Sequence, residues 1–265
     1  MQESPAPTLA PTPDSISPAL LRVSRVSKRF GAVVALEDVS LDVHSGEAVA
    51  LLGDNGAGKT TLVKILSGNL RADSGTITFD GQAIRDHSPP RARALGIETV
   101  YQDLSLCPNL DAAANFFMGR ELTKPLLGIR TLDDLRMRAV TETALADVGA
   151  SVPSVRTNVA HLSGGQRQAI ELARFVHWGG RLVILDEPFA ALGVEQTRRG
   201  LELINSVKSK GVGVIVVTHN ITHALRVADR IVVLRHGRVS GRRDVSETNA
   251  DEIVRMITGE LATME

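Results

Sequence analysis

A glycine-rich stretch early in the chain has the spacing of a phosphate-binding loop, or P-loop. The stretch follows a buried strand predicted over 47–52 and reads Gly53-Asp54-Asn55-Gly56-Ala57-Gly58-Lys59-Thr60-Thr61. Its glycines would let backbone N–H groups wrap a phosphate chain, and the helix predicted over Lys59–Leu66 would present its positive end. Lys59 would reach the outer phosphates of a nucleotide, and the Thr60 hydroxyl would hold Mg²⁺. The alternative is a glycine-rich strand-to-helix turn without a ligand.

Two carboxylates end a second buried strand. The apolar residues 182–185 lead directly into Asp186 and Glu187. Because side chains alternate along a strand, the two carboxylates should point in different directions. Both lie at the carboxyl end of a parallel strand, where α/β sheets bind ligands. One could hold the water shell of a metal while the other orients an attacking water. The alternative is a pair of acids that begin a surface loop.

A third motif opens a helix with Leu162-Ser163-Gly164-Gly165-Gln166, called the signature segment below. Ser163 and Gln166 have the spacing of a capping box. Two glycines in a first helical turn cost up to about 1 kcal/mol each relative to alanine, so a cap alone does not explain them. We predict that they allow a phosphate to approach the backbone closely.

The elements around these motifs indicate an α/β domain with a largely parallel sheet. Short β-branched runs alternate with helical patterns from Leu21 onward. We expect three short opening strands over 21–26, 33–36 and 40–43. After a strand over 97–101, the stretch 104–161 shows helical patterns and no convincing strand. It is predicted to be a helical subdomain inserted into the core.

The alternation resumes after the insertion and sets the predicted domain limits. Helices are predicted over 164–176, 194–208 and Ile221–Val227, and strands over 182–185, 212–217 and 231–234, before a last helix near 250–257. We predict a flexible proline-rich tail over 1–20, one catalytic domain over 21–242 with its insertion at about 104–162, and a short helical tail over 243–265.

Composition limits the class of protein. Lys and Arg number 30, Asp and Glu also number 30, and aromatic residues are only 3% of the chain. The chain has no excess of basic residues to bind phosphate backbones and few aromatic rings on which bases could stack. No nucleic-acid partner is therefore expected. The single cysteine, Cys107, excludes an internal disulfide. No apolar run reaches the roughly 18–20 residues of a membrane span, and no signal peptide is recognisable, which favours a cytoplasmic protein.

Together the three motifs resemble those of the ATP-binding cassette (ABC) ATPases, from about Leu21 to Arg242. The resemblance implies a P-loop NTPase of the ABC type, with a RecA-like parallel core, an antiparallel β subdomain and the helical insertion. It implies hydrolysis of ATP with Mg²⁺, with Asp186 at the metal and Glu187 activating water. It also implies that Gln102 senses Mg²⁺ and the membrane partner, that His219 contacts the γ-phosphate, and that Phe30 stacks on adenine. Taken alone, these three would be a loop glutamine, a structural histidine and a core aromatic.

The resemblance also implies partners. In the family the signature segment of one subunit covers the ATP of another, so one P-loop and one signature require a second cassette, most simply in a homodimer. The stretches 100–110 and 112–120, and Asp54-Asn55 in the P-loop, resemble the ATPases of bacterial monosaccharide importers in their single-cassette form. The resemblance therefore implies membrane permease subunits, a periplasmic sugar-binding protein and a location on the cytoplasmic face of the inner membrane. An ABC exporter or other non-sugar system, and a soluble ABC protein on nucleic acid or ribosomes, remain alternatives.

Two further features bear on coupling. Many cassettes have an aspartate where Gly193 stands, so communication between the two ATP sites is in doubt here. The stretch 104–118 collects apolar residues that either form a docking groove for the permease or belong to the subdomain core: Leu106, Leu110, Phe116, Phe117 and Met118.

Overall fold

The computed structural model describes residues 18–100, 106–126, 129–190 and 193–260. The strands in these ranges are β1 (Leu21–Phe30), β2 (Val33–Val43), β3 (Ala48–Leu52), β4 (Ser74–Phe79), β5 (Gln82–Ala83), β6 (Ile97–Val100), β7 (Thr123–Leu126), β8 (Ile129–Leu132), β9 (Leu182–Asp186), β10 (Gly213–Val217), β11 (Arg230–Arg235) and β12 (Arg238–Asp244). The α-helices are α1 (Lys59–Leu66), α2 (Pro89–Ala94), α3 (Ala112–Phe117), α4 (Asp134–Asp147), α5 (Gly164–His177), α6 (Val194–Ser209), α7 (Ile221–Val227) and α8 (Ala250–Thr258).

A six-stranded sheet in the order β12-β11-β3-β10-β9-β6 forms the centre of the molecule. All neighbours pair in parallel except β12, which runs antiparallel to β11 at one edge. Every residue of β3 and β10 is buried, as expected of parallel strands covered by helices on both faces. The carboxyl ends of β3, β9 and β10 therefore meet along one edge of the sheet.

A second, antiparallel sheet has the order β2-β1-β4-β5. The prediction of two separate strands over 33–36 and 40–43 was wrong, because both belong to the single strand β2. The interruption between them is a bulge at Asp38, where φ is 54° and the N–H donates to Ser27 Oγ at 3.0 Å. The bulge breaks the alternation of apolar residues that marks a strand in sequence.

The inserted subdomain consists mainly of α3, α4 and the first part of α5. Phe116, Phe117, Met137 and Leu145 are buried in the cluster that joins these helices. The prediction that 104–161 holds no strand was wrong, because β7 and β8 form an antiparallel hairpin there. Pro125 lies inside this hairpin, and Thr123, Lys124, Ile129 and Arg130 are exposed, so neither β propensity nor alternation indicated it.

Helix α8 packs on the edge of the main sheet rather than extending from it. Ile253 and Met256 are buried against β11 and α7, and Ser240 Oγ donates to the Met256 carbonyl at 2.7 Å. Strand β12 runs to Asp244, two residues past the predicted domain limit. This last stretch is therefore continuous with the core of the sheet.

Candidate active site

The P-loop connects β3 to α1 and is closed by a lysine that folds back over it. Lys59 Nζ donates to the carbonyl oxygens of Gly53 at 2.5 Å and Asp54 at 3.0 Å. The helix begins immediately after Gly58, whose φ of 108° lies in the left-handed region that favours glycine. The loop thus holds an ammonium group at the helix N-terminus, where an anionic ligand would be stabilised.

The turn between β11 and β12 supports the P-loop from behind. Gly237 N–H donates to the Ala57 carbonyl at 3.0 Å, and Glu37 N–H donates to the Gly237 carbonyl at 2.7 Å. A Cβ on Gly58 would lie 2.7 Å from the Ala35 carbonyl oxygen. The glycine is therefore required by close contact with β2 as well as by its backbone angle.

Three charged groups lie close together around Lys59. Burial lowers the pKa of Lys59, and the nearby carboxylates of Glu187, Asp54 and Asp186 oppose that shift. Burial raises the pKa of Asp186, and the neighbouring Glu187 raises it further while Lys59 lowers it. The carboxyl end of β9 and the start of α1 thus bring an ammonium group and two acids to one place, as the sequence predicted for the sheet edge.

Glu187 is fixed by residues at the end of the neighbouring strand β10. Its Oε1 lies 2.7 Å from His219 Nδ1 and accepts the His219 backbone N–H at 3.1 Å. Thr218 Oγ1 donates to the other carboxylate oxygen at 3.1 Å. The Glu187 side chain is 23% exposed and that of His219 is 71% exposed, so the pair lies at the rim of the site. The carboxylate is therefore ordered and still accessible.

Backbone hydrogen bonds tie the three strand ends together at this point. Glu187 has a φ of 49° and its N–H donates to the Val217 carbonyl at 2.8 Å. Thr218 N–H donates to the Leu51 carbonyl at 3.2 Å. These bonds connect β9 to β10 and β10 to β3, so the P-loop and the two acids rest on one rigid edge.

Thr218 was not among the residues predicted for the site. It is 2% exposed and also accepts the Asn220 N–H at 3.1 Å. Its place directly before His219, at the end of a buried strand, was the available signal. The hydrogen bond to Glu187 depends on the pairing of β9 with β10, which the sequence alone does not give.

Phe30 is the last residue of β1. Its side chain is 49% exposed, so it is not a core aromatic. Lys28 Nζ lies 5.6 Å from its ring centroid and is paired with Asp73 at 2.6 Å. An exposed ring on a strand end is available for stacking against a flat ligand.

The signature segment forms the start of α5 and does contain a capping box. Ser163 N–H donates to Gln166 Oε1 at 2.9 Å, and Gln166 N–H donates to Ser163 Oγ at 3.3 Å. A Cβ on Gly165 would meet nothing within 4 Å, so packing inside the chain does not require this glycine. Ser163, Gly165 and Gln166 border a 370 Å³ cavity that α6 completes and that contains no P-loop residue.

The remaining predicted residues divide among three situations. Gln102 lies outside the described residues. Leu106, Phe116 and Phe117 are buried in the subdomain core, whereas Leu110 and Met118 are exposed. Met118 lines a 630 Å³ groove between the helical subdomain and the sheet. The core interpretation therefore holds for the three buried residues, whereas docking of the permease at this stretch stays a prediction.

The donor chemistry near the P-loop fits a magnesium ion better than a softer metal. Among the described residues no group of three or more His, Cys, Asp or Glu side chains could hold a metal by itself. Thr60 and Asp186 offer hydroxyl and carboxylate oxygens, which are the ligands that Mg²⁺ takes together with phosphate and water.

In the described part of the chain, no helix is long and apolar enough to span a membrane.

Comparison with known families decides the assignment. The family model described as ABC transporter matches residues 36–190, which include the P-loop, the signature segment, Asp186 and Glu187. The chain belongs to the ABC transporter family. As an ABC cassette it binds and hydrolyses ATP, and the predicted family and fold class are confirmed.

Individual relatives extend over most of this ABC cassette. The xylose/arabinose import ATP-binding protein XylG of Sulfolobus acidocaldarius is 44% identical over 90% of this chain and 94% of its own length. The fructose import ATP-binding protein FrcA of Rhizobium meliloti is 43% identical over 83% of this chain and 86% of its own. A solved structure, cbiO1 from Clostridium perfringens, is 25% identical with a TM-score of 0.75 over 93% and 97% of the two chains.

Proposed function

We propose that this ABC cassette is the ATPase subunit that powers import of a sugar, a monosaccharide, through a separate membrane permease. The carrying observation is the Glu187 carboxylate, held by Thr218 and His219 beside the P-loop lysine. The names of XylG and FrcA, which cover most of this chain, support a sugar as cargo. The working location is the cytoplasmic face of the inner membrane.

We assign each of these side chains a step in hydrolysis. On ATP binding, Lys59 exchanges its contacts with the Gly53 and Asp54 carbonyls for phosphate oxygens. Glu187 accepts a proton from the attacking water, because its carboxylate is ordered and accessible at the site rim. His219 positions Glu187 and contacts the γ-phosphate. Phe30 stacks on adenine.

Thr60, Asp186 and Gln102 are the residues that would hold Mg²⁺. When bound, the ion would supply charge neutralisation at the β and γ phosphates. A half-buried Asp186 with a raised pKa is an oxygen donor that lacks full solvation, and a nearby cation would compensate for that loss. The other residues of the P-loop, between Gly53 and Thr61, surround the phosphates.

The site is completed by a second copy of the cassette. Ser163, Gly165 and Gln166 line a cavity separate from the P-loop, Gly164 lies between them in sequence, and Gly165 has open space where a side chain would be. An opposing subunit could therefore place its ATP against this helix start without a steric conflict. This supports a homodimer with two ATP molecules between the subunits, as the signature predicts.

The permease is expected at the groove lined by Met118. The groove lies beside the helical subdomain and has buried aromatic residues at its base, Phe116 and Phe175. A segment of the permease would bury apolar side chains here. The cargo itself would be selected by the permease and by a periplasmic binding protein, since the proposed chemistry of this chain involves only ATP.

Reconstitution tests this function directly. The full chain should be purified with its permease, placed in proteoliposomes with the binding protein, and supplied with ATP and labelled xylose, arabinose, fructose or ribose. ATP-dependent accumulation of one of these sugars, lost in a Glu187→Gln variant, is the expected result. Accumulation of none of them, with ATP hydrolysis intact, would reject sugar import and leave the ATPase assignment standing.

A further inference from the structure

The groove beside the helical subdomain is unusually rich in arginine. Its lining includes four arginines and two acids among the described residues: Arg93, Arg120, Arg174, Arg181, Asp80 and Glu98. Four arginines against two acids give this lining a net charge of +2. Since the whole chain has no net charge, this excess is local to the groove.

Two of the arginines already have partners that explain them. Arg181 Nη1 lies 2.8 Å from Asp80 Oδ2 and joins the β4–β5 turn to the start of β9. Arg174 donates to the Asn115 carbonyl at 3.2 Å and lies 4.0 Å from Glu98. Both side chains have structural roles in holding the groove together.

Arg120 is different, because it is held by an aromatic ring instead of a carboxylate. Its guanidinium carbon lies 4.7 Å from the ring centroid of Trp178. A guanidinium held over the face of an aromatic ring needs no carboxylate to fix it, so the N–H donors that do not face the ring are available for a ligand. Arg93, also exposed in this groove, has no acidic partner among the described residues.

We propose that Arg120, assisted by Arg93, binds a carboxylate side chain carried by the permease segment that docks in this groove. The inference rests on the proposed function, because it takes the permease as the occupant. A planar guanidinium fixed on Trp178 matches the two oxygens of a carboxylate, and charge-assisted pairs of this kind are about twice as strong as neutral ones. The apolar base at Phe116 and Phe175 would receive neighbouring apolar side chains of the same segment.

Trp178 is the only tryptophan of the chain, so its fluorescence reports on the groove. The full-length protein should be titrated with a short amphipathic peptide that carries leucines and one central glutamate, and with the matched glutamine peptide. We expect the glutamate peptide to change Trp178 fluorescence and to bind about tenfold more tightly, with the difference lost at high salt. Equal binding, no binding by the glutamate peptide, or the same response to inorganic phosphate would overturn the proposal.

Matched variants connect this measurement to the complex. Arg120→Gln should abolish the preference for glutamate, whereas Arg130→Gln should keep it, because Arg130 is an exposed arginine on β8 whose guanidinium contacts Thr123. In the purified cassette–permease complex, Arg120→Gln should weaken association about tenfold and leave ATP binding by the free cassette unchanged. Association equal to that of the wild type would contradict the proposal. If instead no variant, including the wild type, associates with a permease, the proposed function fails.

Discussion

The carboxylate of Glu187 and the imidazole of His219 are in direct contact, with Oε1 and Nδ1 2.7 Å apart across the ends of two paired strands. Thr218 holds the second carboxylate oxygen. The reactive edge of the cassette is therefore a small hydrogen-bonded unit supported by β9 and β10.

Replacement of Glu187 by glutamine should separate ATP binding from ATP hydrolysis. The amide keeps the shape of the side chain but cannot accept the proton of water, so we expect the rate to fall about 10²- to 10⁴-fold. Nucleotide affinity should stay within a few-fold of the wild type, and the dimer should accumulate with ATP. Phosphate release and size-exclusion chromatography with ATP measure the two effects. Glu142→Gln, at an exposed glutamate of α4, is the control, and normal turnover in Glu187→Gln would remove Glu187 from the role of base.

Removal of the Lys59 ammonium group should weaken the binding of ATP. Lys59→Ala removes a charged donor that is already positioned at the loop, and we expect ATP affinity to fall about tenfold to a hundredfold. Equilibrium binding of a fluorescent ATP analogue measures this loss. Lys64→Ala, at the other end of α1, should leave affinity unchanged. An unaltered affinity in Lys59→Ala would count against the assigned role.

Thr218 should affect the rate more than the binding of ATP. Thr218→Val has a similar shape but removes the donor to Glu187, so the carboxylate loses one of its orienting bonds. We expect kcat to fall several-fold with little change in KM, and Thr218→Ser to restore most of the rate. Steady-state ATPase kinetics across pH values distinguish this effect from a loss of folded protein. If serine fails to rescue, the hydroxyl is not the positioning group.

The contact between Gly58 and β2 predicts an unequal cost for two glycine substitutions. Gly58→Ala combines a left-handed backbone angle with a Cβ that would lie 2.7 Å from the Ala35 carbonyl oxygen. Gly81→Ala also falls at a positive φ, of 73° against 108° at Gly58, but has open space around the added carbon. We expect Gly81→Ala to lower the free energy of unfolding by about 1 kcal/mol and Gly58→Ala by roughly 1–3 kcal/mol more. Urea denaturation measures both values, and equal losses would contradict the steric explanation.

The Asp80–Arg181 pair predicts a dependence on pH. The Arg181 hydrogen bond lowers the pKa of Asp80 from 3.8, so the pair stabilises the fold above that pH. The contribution is lost as pH falls through the lower pKa of the folded state. Asp80→Asn should therefore be slightly less stable than the wild type at pH 7, and the two should converge in acid once the pH lies below the lowered pKa of Asp80. Denaturation midpoints of both proteins at pH 7 and in acid test this. A stability difference that widens in acid would exclude the ion pair as its cause.

Strong local signals were sufficient for much of the fold. The helices Lys59–Leu66 and Ile221–Val227 have the predicted bounds, because a glycine loop marks the start of the first and Asn220 caps the second. Buried strands such as β9 and β10 were evident from continuous apolar runs. By contrast, β12 contains three arginines and an aspartate at a sheet edge and has no apolar pattern that could predict it.

The site could be predicted as a set of residues but not as an arrangement. Motif spacing identified Lys59, Asp186 and Glu187, whereas the order β3-β10-β9 determines which of their neighbours meet. Thr218 reaches Glu187 only because β10 pairs with β9 in one particular register. The same limit applies to the stacking of Arg120 on Trp178, since these residues are far apart in sequence and belong to different elements.

The left-handed backbone angle of Glu187 has a consequence for how this enzyme can change. Glutamate pays about 1–2 kcal/mol for a φ of 49°, a conformation that glycine or asparagine adopts more easily. Either of those residues would relax the bend and stabilise the folded chain while removing the carboxylate that accepts the proton. A substitution that raises thermal stability at this position therefore lowers the rate of ATP hydrolysis. A screen for heat resistance alone would favour inactive cassettes.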